Sequence, residues 1–131
     1  MKKFITIFPL LVLLAMAACT GNSTFERQLA VADNLMRHNY DSAYTLLKNM
    51  ESMAQYMPKR LRMKHMLLRA NAQNKAWEFF TSDSTGKTLT KYYDRKGTPN
   101  ERMLAHYIKG CAYRDMGDEP MALQCFNEAV A

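Results

Sequence analysis

Thr85-Gly86-Lys87-Thr88 is the stretch of this sequence that most invites a chemical reading. A Gly-Lys-Thr ending suits a loop that wraps phosphate in backbone amides and a lysine. Such a loop also needs glycine five residues before its Gly-Lys, where this chain has Thr81, and a buried strand leading into it. Neither is present, so the stretch reads as the opening of a helix. His38, His65 and His106 lie too far apart for metal-ligand spacing. No nucleophile–base motif such as Gly-x-Ser-x-Gly occurs. Asp115, Asp118 and Glu119 cluster at short spacing and suit helix ends. Cys111 and Cys125 read as small buried residues, placed about one turn out of register on antiparallel helices, too far apart to bridge. Among the eleven methionines, Met50, Met53, Met57, Met63 and Met66 could hold a soft metal. A flexible thioether more naturally fills a core or an adaptable contact surface. The expectation is a chain with no catalytic residues, no metal site and no cofactor, and therefore a binding protein.

The first residues set its address. Lys2 and Lys3 precede an uncharged run, Phe4 to Ala18, shorter than the ~20 residues a spanning helix needs. A basic start, a short apolar centre and small residues after it read as a secretory signal peptide over 1–18. Ala17-Ala18-Cys19 resembles the lipobox of bacterial lipoproteins, with Met16 where that family usually has Leu, Val or Ile. The resemblance implies that Cys19 is acylated and holds the chain on a membrane of the cell envelope, at the outer membrane or its periplasmic face. Each buried lipid CH₂ adds about 0.8 kcal/mol to such an anchor. Loss of Lys2 and Lys3 with the signal lowers the formal charge from +6 to +4, too little to point to nucleic acid.

Residues 19–23 read as a lipidated tether, and 24–131 as helix throughout, with no alternation of the kind strands show. Phe25, Leu29, Ala32 and Met36 give a first apolar stripe. His38 to Asp41 break it, and Ala43, Leu46, Leu47 and Met50 give a second. Pro58 suits the first turn of a third helix carrying Met63, Met66, Leu67 and Ala70. Trp77, Phe79 and Phe80 follow in a looser segment and are expected to plug the middle hairpin. Thr81 to Ser84 open a fourth helix. Thr98-Pro99-Asn100-Glu101 is a capping box with proline at the first helical position. Gly117 should close that fifth helix, and Asp118 should cap the sixth. The expectation is three helical hairpins, roughly 24–53, 58–95 and 98–131.

The last hairpin carries Gly110, Tyr113, Gly117, Ala122, Phe126 and Ala129 at spacings that resemble the tetratricopeptide repeat (TPR), a helix–turn–helix unit of 34 residues. Gly110 and Ala122 are small where two helices cross, Phe126 fills the space one turn on, and Tyr113 reaches the neighbouring hairpin. His106 and Lys109 depart from the Trp and Leu that the repeat favours. Ala43, Leu47 and Met50 echo Ala122, Phe126 and Ala129. The signal, "ADNLMRHNYDSAYTLL" and "KYYDRKGTPNERMLAHYIKGCAYRDMGD" together are similar to the N-terminal region of Bacteroidales TPR lipoproteins. The resemblance implies an all-α fold of TPR-like hairpins stacked as a short α-solenoid. A repeat array usually ends on a polar capping helix. Here the last helix presents an apolar face, which implies a packing partner or further repeats.

Helix A of such a repeat faces a concave surface, which in this chain would present Leu104, Tyr107, Ile108, Cys111, Arg114 and Asp115. That apolar patch with a charged end suits a hydrophobic peptide or helix. Lys59, Arg60, Arg62, Lys64, Arg69 and Lys75 make the third helix basic, as a solvated face or as a contact for anionic headgroups or an acidic partner. Asp41-Ser42-Ala43 and Asp83-Ser84-Thr85 match a short O-glycosylation pattern of exported Bacteroidota proteins and also read as helix starts. The expected function is an envelope scaffold that binds protein or peptide. The alternative is the N-terminal sensor portion of a longer TPR-containing signalling protein.

Overall fold

The computed structural model describes residues 21–131; the signal peptide and Cys19 lie outside the described residues. Helix α1 occupies 21–38. It is followed by α2 (Tyr40–Asn49), a 3₁₀ segment (Glu51–Tyr56), α3 (Lys59–Lys75), α4 (Ser84–Lys96), α5 (Pro99–Asp115) and α6 (Glu119–Val130). Among the described residues there is no strand. Residues 21–23, expected in the tether, are already helical.

The chain signals that mark the helix ends act as local hydrogen bonds. Asn39 is the single non-helical residue between α1 and α2, and its side chain accepts from the Ser42 amide at 3.1 Å. Thr98 and Glu101 form the reciprocal capping box at 3.2 and 3.0 Å. The Asp118 side chain accepts from the Met121 amide. Gly117 takes φ +80°. Its amide donates to Arg114 and that of Asp118 to Tyr113, the paired bonds that close a helix through a left-handed residue.

α3 closes in the same way with Trp77 in the glycine position. The Trp77 amide donates to the Asn74 carbonyl and the Glu78 amide to that of Gln73, and Trp77 has φ 61°. The next three residues belong to no helix. Phe80 enters the core, whereas Phe79 is 71% exposed and Trp77 80%. The expectation that all three aromatics plug the middle hairpin is therefore correct for Phe80 alone.

Three apolar clusters run along the stack. Leu29, Ala32 and Met36 of α1 meet Ala43, Tyr44 and Leu47 of α2 and Leu61, Leu68 and Ala72 of α3. The other face of α3 (Met63, Leu67, Ala70) joins Phe80, Leu89 and Tyr93, and Ala105, Ile108, Cys111 and Ala112 of α5. Tyr113, Ala122 and Cys125 close the last hairpin. Complete burial of a leucine such as Leu47 or Leu67 contributes about 1.5–3 kcal/mol each. Met50, Met57 and Met63 fill core space.

Cross-helix pairs fix the directions. Glu26 meets Arg60, Lys64 meets Glu101 and Asn74 meets Arg114, so α1, α3 and α5 run parallel. Asp83 meets Tyr113 and Asp94 meets His106, so α4 runs against α5. Gly110 lies against Phe126 and His106 beside Glu128, so α6 also runs against it. One end of the stack therefore gathers the starts of α1, α3 and α5, and the other holds Asn39, Trp77 and Gly117.

Candidate functional site

The parallel helices leave a groove on one side. Near their N-terminal end it is a cleft of about 720 Å³ lined from α1 by Glu26, Leu29, Ala30 and Asp33, from α3 by Arg60, Leu61 and Lys64, and from the end of α4 and start of α5 by Tyr92, Tyr93, Lys96 and Glu101. It continues as a space of about 470 Å³ between Asp33, Lys64, Asn71, Asn100, Glu101 and Leu104. Asp33, Lys64 and Glu101 line both parts.

The lining carries both signs of charge. Glu26 and Arg60 pair at 2.6 Å, both largely exposed. Lys64 and Glu101 are 3.9 Å apart, a loose pair whose net value is small in solvent. Asp33 and Lys96 form no ion pair among the described residues. Burial, followed by the negative field of Glu101, pushes the Tyr93 phenol well above its ordinary value, so that wall stays neutral. The groove offers separated cations, anions and the amides of Asn71 and Asn100 around a strip of Tyr92 and Leu104. Such a surface suits an extended polar segment, whose backbone needs donors and acceptors of both kinds.

The face expected from sequence is only partly open. Leu104 lies in the groove and Tyr107 is exposed. Ile108 and Cys111 are completely buried, against the expectation of an open apolar patch. The cause is that α5 is covered by α3, α4 and α6, so its apolar stripe is core. Arg114 and Asp115 form a clasp instead of a free charged end. Asp115, with a side chain 3% exposed, accepts from the Phe80 amide at 2.9 Å. Its other oxygen takes Arg114, which also reaches Asn74 at 3.1 Å. A hydrophobic helix has no continuous apolar bed there.

Of the residues singled out for packing, Gly110, Tyr113, Ala122 and Phe126 come together. A Cβ on Gly110 would stand 2.5 Å from Phe126 Cε1. Ala122 is buried beside Phe126, and Tyr113 donates to Asp83 at 2.9 Å. Ala129 is half-buried on α6. A second close crossing was not anticipated. A Cβ on Gly86 would stand 2.7 Å from Lys109 Cα, so the glycine of the phosphate-loop-like stretch serves a helix contact.

The polar interior is held by two histidines. His65 Nε2 donates to the Leu47 carbonyl at 2.7 Å, tying α3 to the end of α2. His106 Nε2 donates to Asp94 at 2.7 Å. Its buried Nδ1 lies 3.2 Å from Glu128 in a geometry that makes no hydrogen bond. Burial works against the Asp94 carboxylate, but bonds from His106 and Arg102 outweigh it and hold its pKa below the ordinary value. Burial pushes both the Cys111 and Cys125 thiols up, away from the thiolate that would react; both are free.

Among the described residues no cluster of three or more His, Cys, Asp or Glu is placed to hold a metal, and no helix is long and apolar enough to cross a membrane. Comparison with protein-family models, with curated proteins and with solved structures returned no match.

Proposed function

We propose that this chain is an exported, lipid-anchored helical-repeat protein that docks a segment of another protein in its α1–α3–α5 groove and has no chemistry of its own. The observation that carries this reading is the groove itself. Parallel helices bring Glu26, Arg60, Lys64 and Glu101 to one surface. The exposed Glu26–Arg60 pair and the loose Lys64–Glu101 pair leave room for a guest to replace internal pairs with intermolecular ones at little cost. The lipobox-like Cys19 supplies the anchor, and the spacing around Gly110 and Phe126 supports the TPR-like reading of the stack. The guest fits as an extended polar segment carrying both charges, read by Asn71 and Asn100.

Capture from envelope extract tests it. The wild-type chain should retain a partner that Lys64→Glu loses and that Leu123→Glu, on the outer face of α6, keeps. A partner indifferent to Lys64→Glu would sink the groove reading. For the anchor, Cys19→Ser should leave washed membranes; equal retention would remove the lipid from the account.

A second reading, the sensor portion of a longer signalling protein, is favoured by the outer face of α6. Leu123 is 61% exposed there and Val130 81%, with Phe126 and Ala129 only half-buried. A further helical hairpin would cover them. Under this reading the Leu123→Glu chain loses association with that hairpin and keeps the groove partner.

A further inference from the structure

The cations of α3 divide into two groups. Arg60, Lys64 and Arg69 face acids, at Glu26, Glu101 and Glu51. Lys59, Arg62 and Lys75 form no ion pair among the described residues. Of these, Lys59 lies over the Tyr92 ring at 5.8 Å and opens a second groove of about 400 Å³ between α3 and α4. That groove is lined by Lys59, Met63, Thr88, Lys91, Tyr92, Arg95 and Lys96. It holds four cations and no acid, and none of the four forms an ion pair among the described residues. Lys96 also borders the first groove and its acids, whereas Lys59, Lys91 and Arg95 line this groove alone; like charges gathered in this way repel one another, so the arrangement gains from an anionic partner.

Position decides which partner. The groove joins the first turn of α3 to the last turns of α4. It therefore lies at the end of the stack where α1 starts, two residues after the expected lipid-bearing Cys19 in sequence. The 3₁₀ segment at that end exposes Met53 and, at 68%, Tyr56, and tyrosine with lysine and arginine is the side-chain mixture favoured at bilayer interfaces. A basic patch beside a lipid anchor adds electrostatic attraction to anionic headgroups and so orients the domain that the acyl chains tether. We infer that this basic groove seats the phosphate headgroups of an anionic bilayer and holds the stack upright with its α3 N-terminus against the membrane. This rests on the anchored reading for the choice of a bilayer and for which end faces it; the charge of the groove does not.

The opposite end supplies an internal control. Trp77, the single tryptophan of the chain, follows a helix of 17 residues, about 25 Å from Lys59 at 1.5 Å per residue. In the upright orientation it stays clear of the acyl chains.

The test uses the full chain carrying Cys19→Ser and vesicles of zwitterionic lipid with or without about one-third phosphatidylglycerol. The measured quantity is the ratio of the two partition coefficients. K91Q/R95Q should lower that ratio by about fivefold per cation removed at low salt, with the difference fading at raised salt. R37Q/K75Q, which removes two exposed cations at the far end, should leave it unchanged. All four positions are exposed, and an unchanged helical spectrum checks folding. Equal ratios in both pairs, or a salt-independent ratio, overturns the inference. Strong quenching of Trp77 by brominated lipid also overturns it, because the aromatic end would then be the one that docks. Failure of the anchored reading shows separately, as equal retention of Cys19→Ser and wild-type chains on washed membranes with the anionic preference intact.

Discussion

Gly110 of α5 and Phe126 of α6 are in such close contact that a single methyl group between them would stand 2.5 Å from the ring. Alanine at 110 would gain about 1 kcal/mol in helix propensity. Overpacking costs typically 1–3 kcal/mol, so Gly110→Ala should lower stability in urea unfolding. Gly86→Ala should lower it further. Its nearest obstacle is the Lys109 Cα at 2.7 Å, which cannot swing aside as a ring edge can. Propensity alone predicts a gain at both sites.

Trp77 and Gly117 close α3 and α5 with the same pair of backbone bonds. Only glycine occupies a left-handed φ freely; other residues incur roughly 1–2 kcal/mol. Trp77→Gly should therefore raise stability by about 0.5–1 kcal/mol, after the added freedom of the unfolded chain is deducted. Gly117→Ala should lower it. Thermal melts of the two variants moving in opposite directions check this.

Asp115 anchors the loop between α3 and α4 through the Phe80 amide. Asp115→Ala leaves that amide without its acceptor, at about 1–3 kcal/mol for a buried donor. Hydrogen exchange at Phe80 should accelerate more than exchange in α6.

Tyr44 and Asp94 each make stability depend on pH. Burial, then the bond to Glu78, raises the Tyr44 phenol from 10.0 to about 12. The unfolded chain releases that proton first. Stability from this group is complete below pH 10 and lost as pH rises through about 12; Tyr44→Phe should flatten that fall. Asp94 is held below its ordinary 3.8. Its contribution is present above that value and is lost as pH falls through the lower folded value. Asp94→Asn should remove this acid-side slope, a change under about 1 kcal/mol for a half-exposed pair. Equilibrium unfolding across both windows measures each.

The local part of this architecture is written locally. Thr98 and Glu101, Asp118, and the left-handed Gly117 announce helix ends through bonds spanning three or four residues, and apolar spacing between such signals points to the α-helices, though not to the 3₁₀ segment Glu51–Tyr56. The groove is not local. Glu26, Arg60 and Glu101 come from three helices and share no spacing, so only the parallel direction of those helices brings them together. Ile108 and Cys111 misled for a related reason. An apolar stripe shows that a helix is covered, and the sequence around α5 could not show that three neighbours cover it. Trp77 illustrates a third limit, since its place in a turn that favours glycine is visible only in φ.

Site-specific photo-crosslinking in intact cells tests the docking groove most directly. A crosslinker replacing Leu104 or Asn71, on the open side of α5 and α3, should capture one partner. The same crosslinker at Lys75, beyond the groove, should capture none. A partner captured equally at Lys75, or nothing captured from Leu104 and Asn71, would contradict the account.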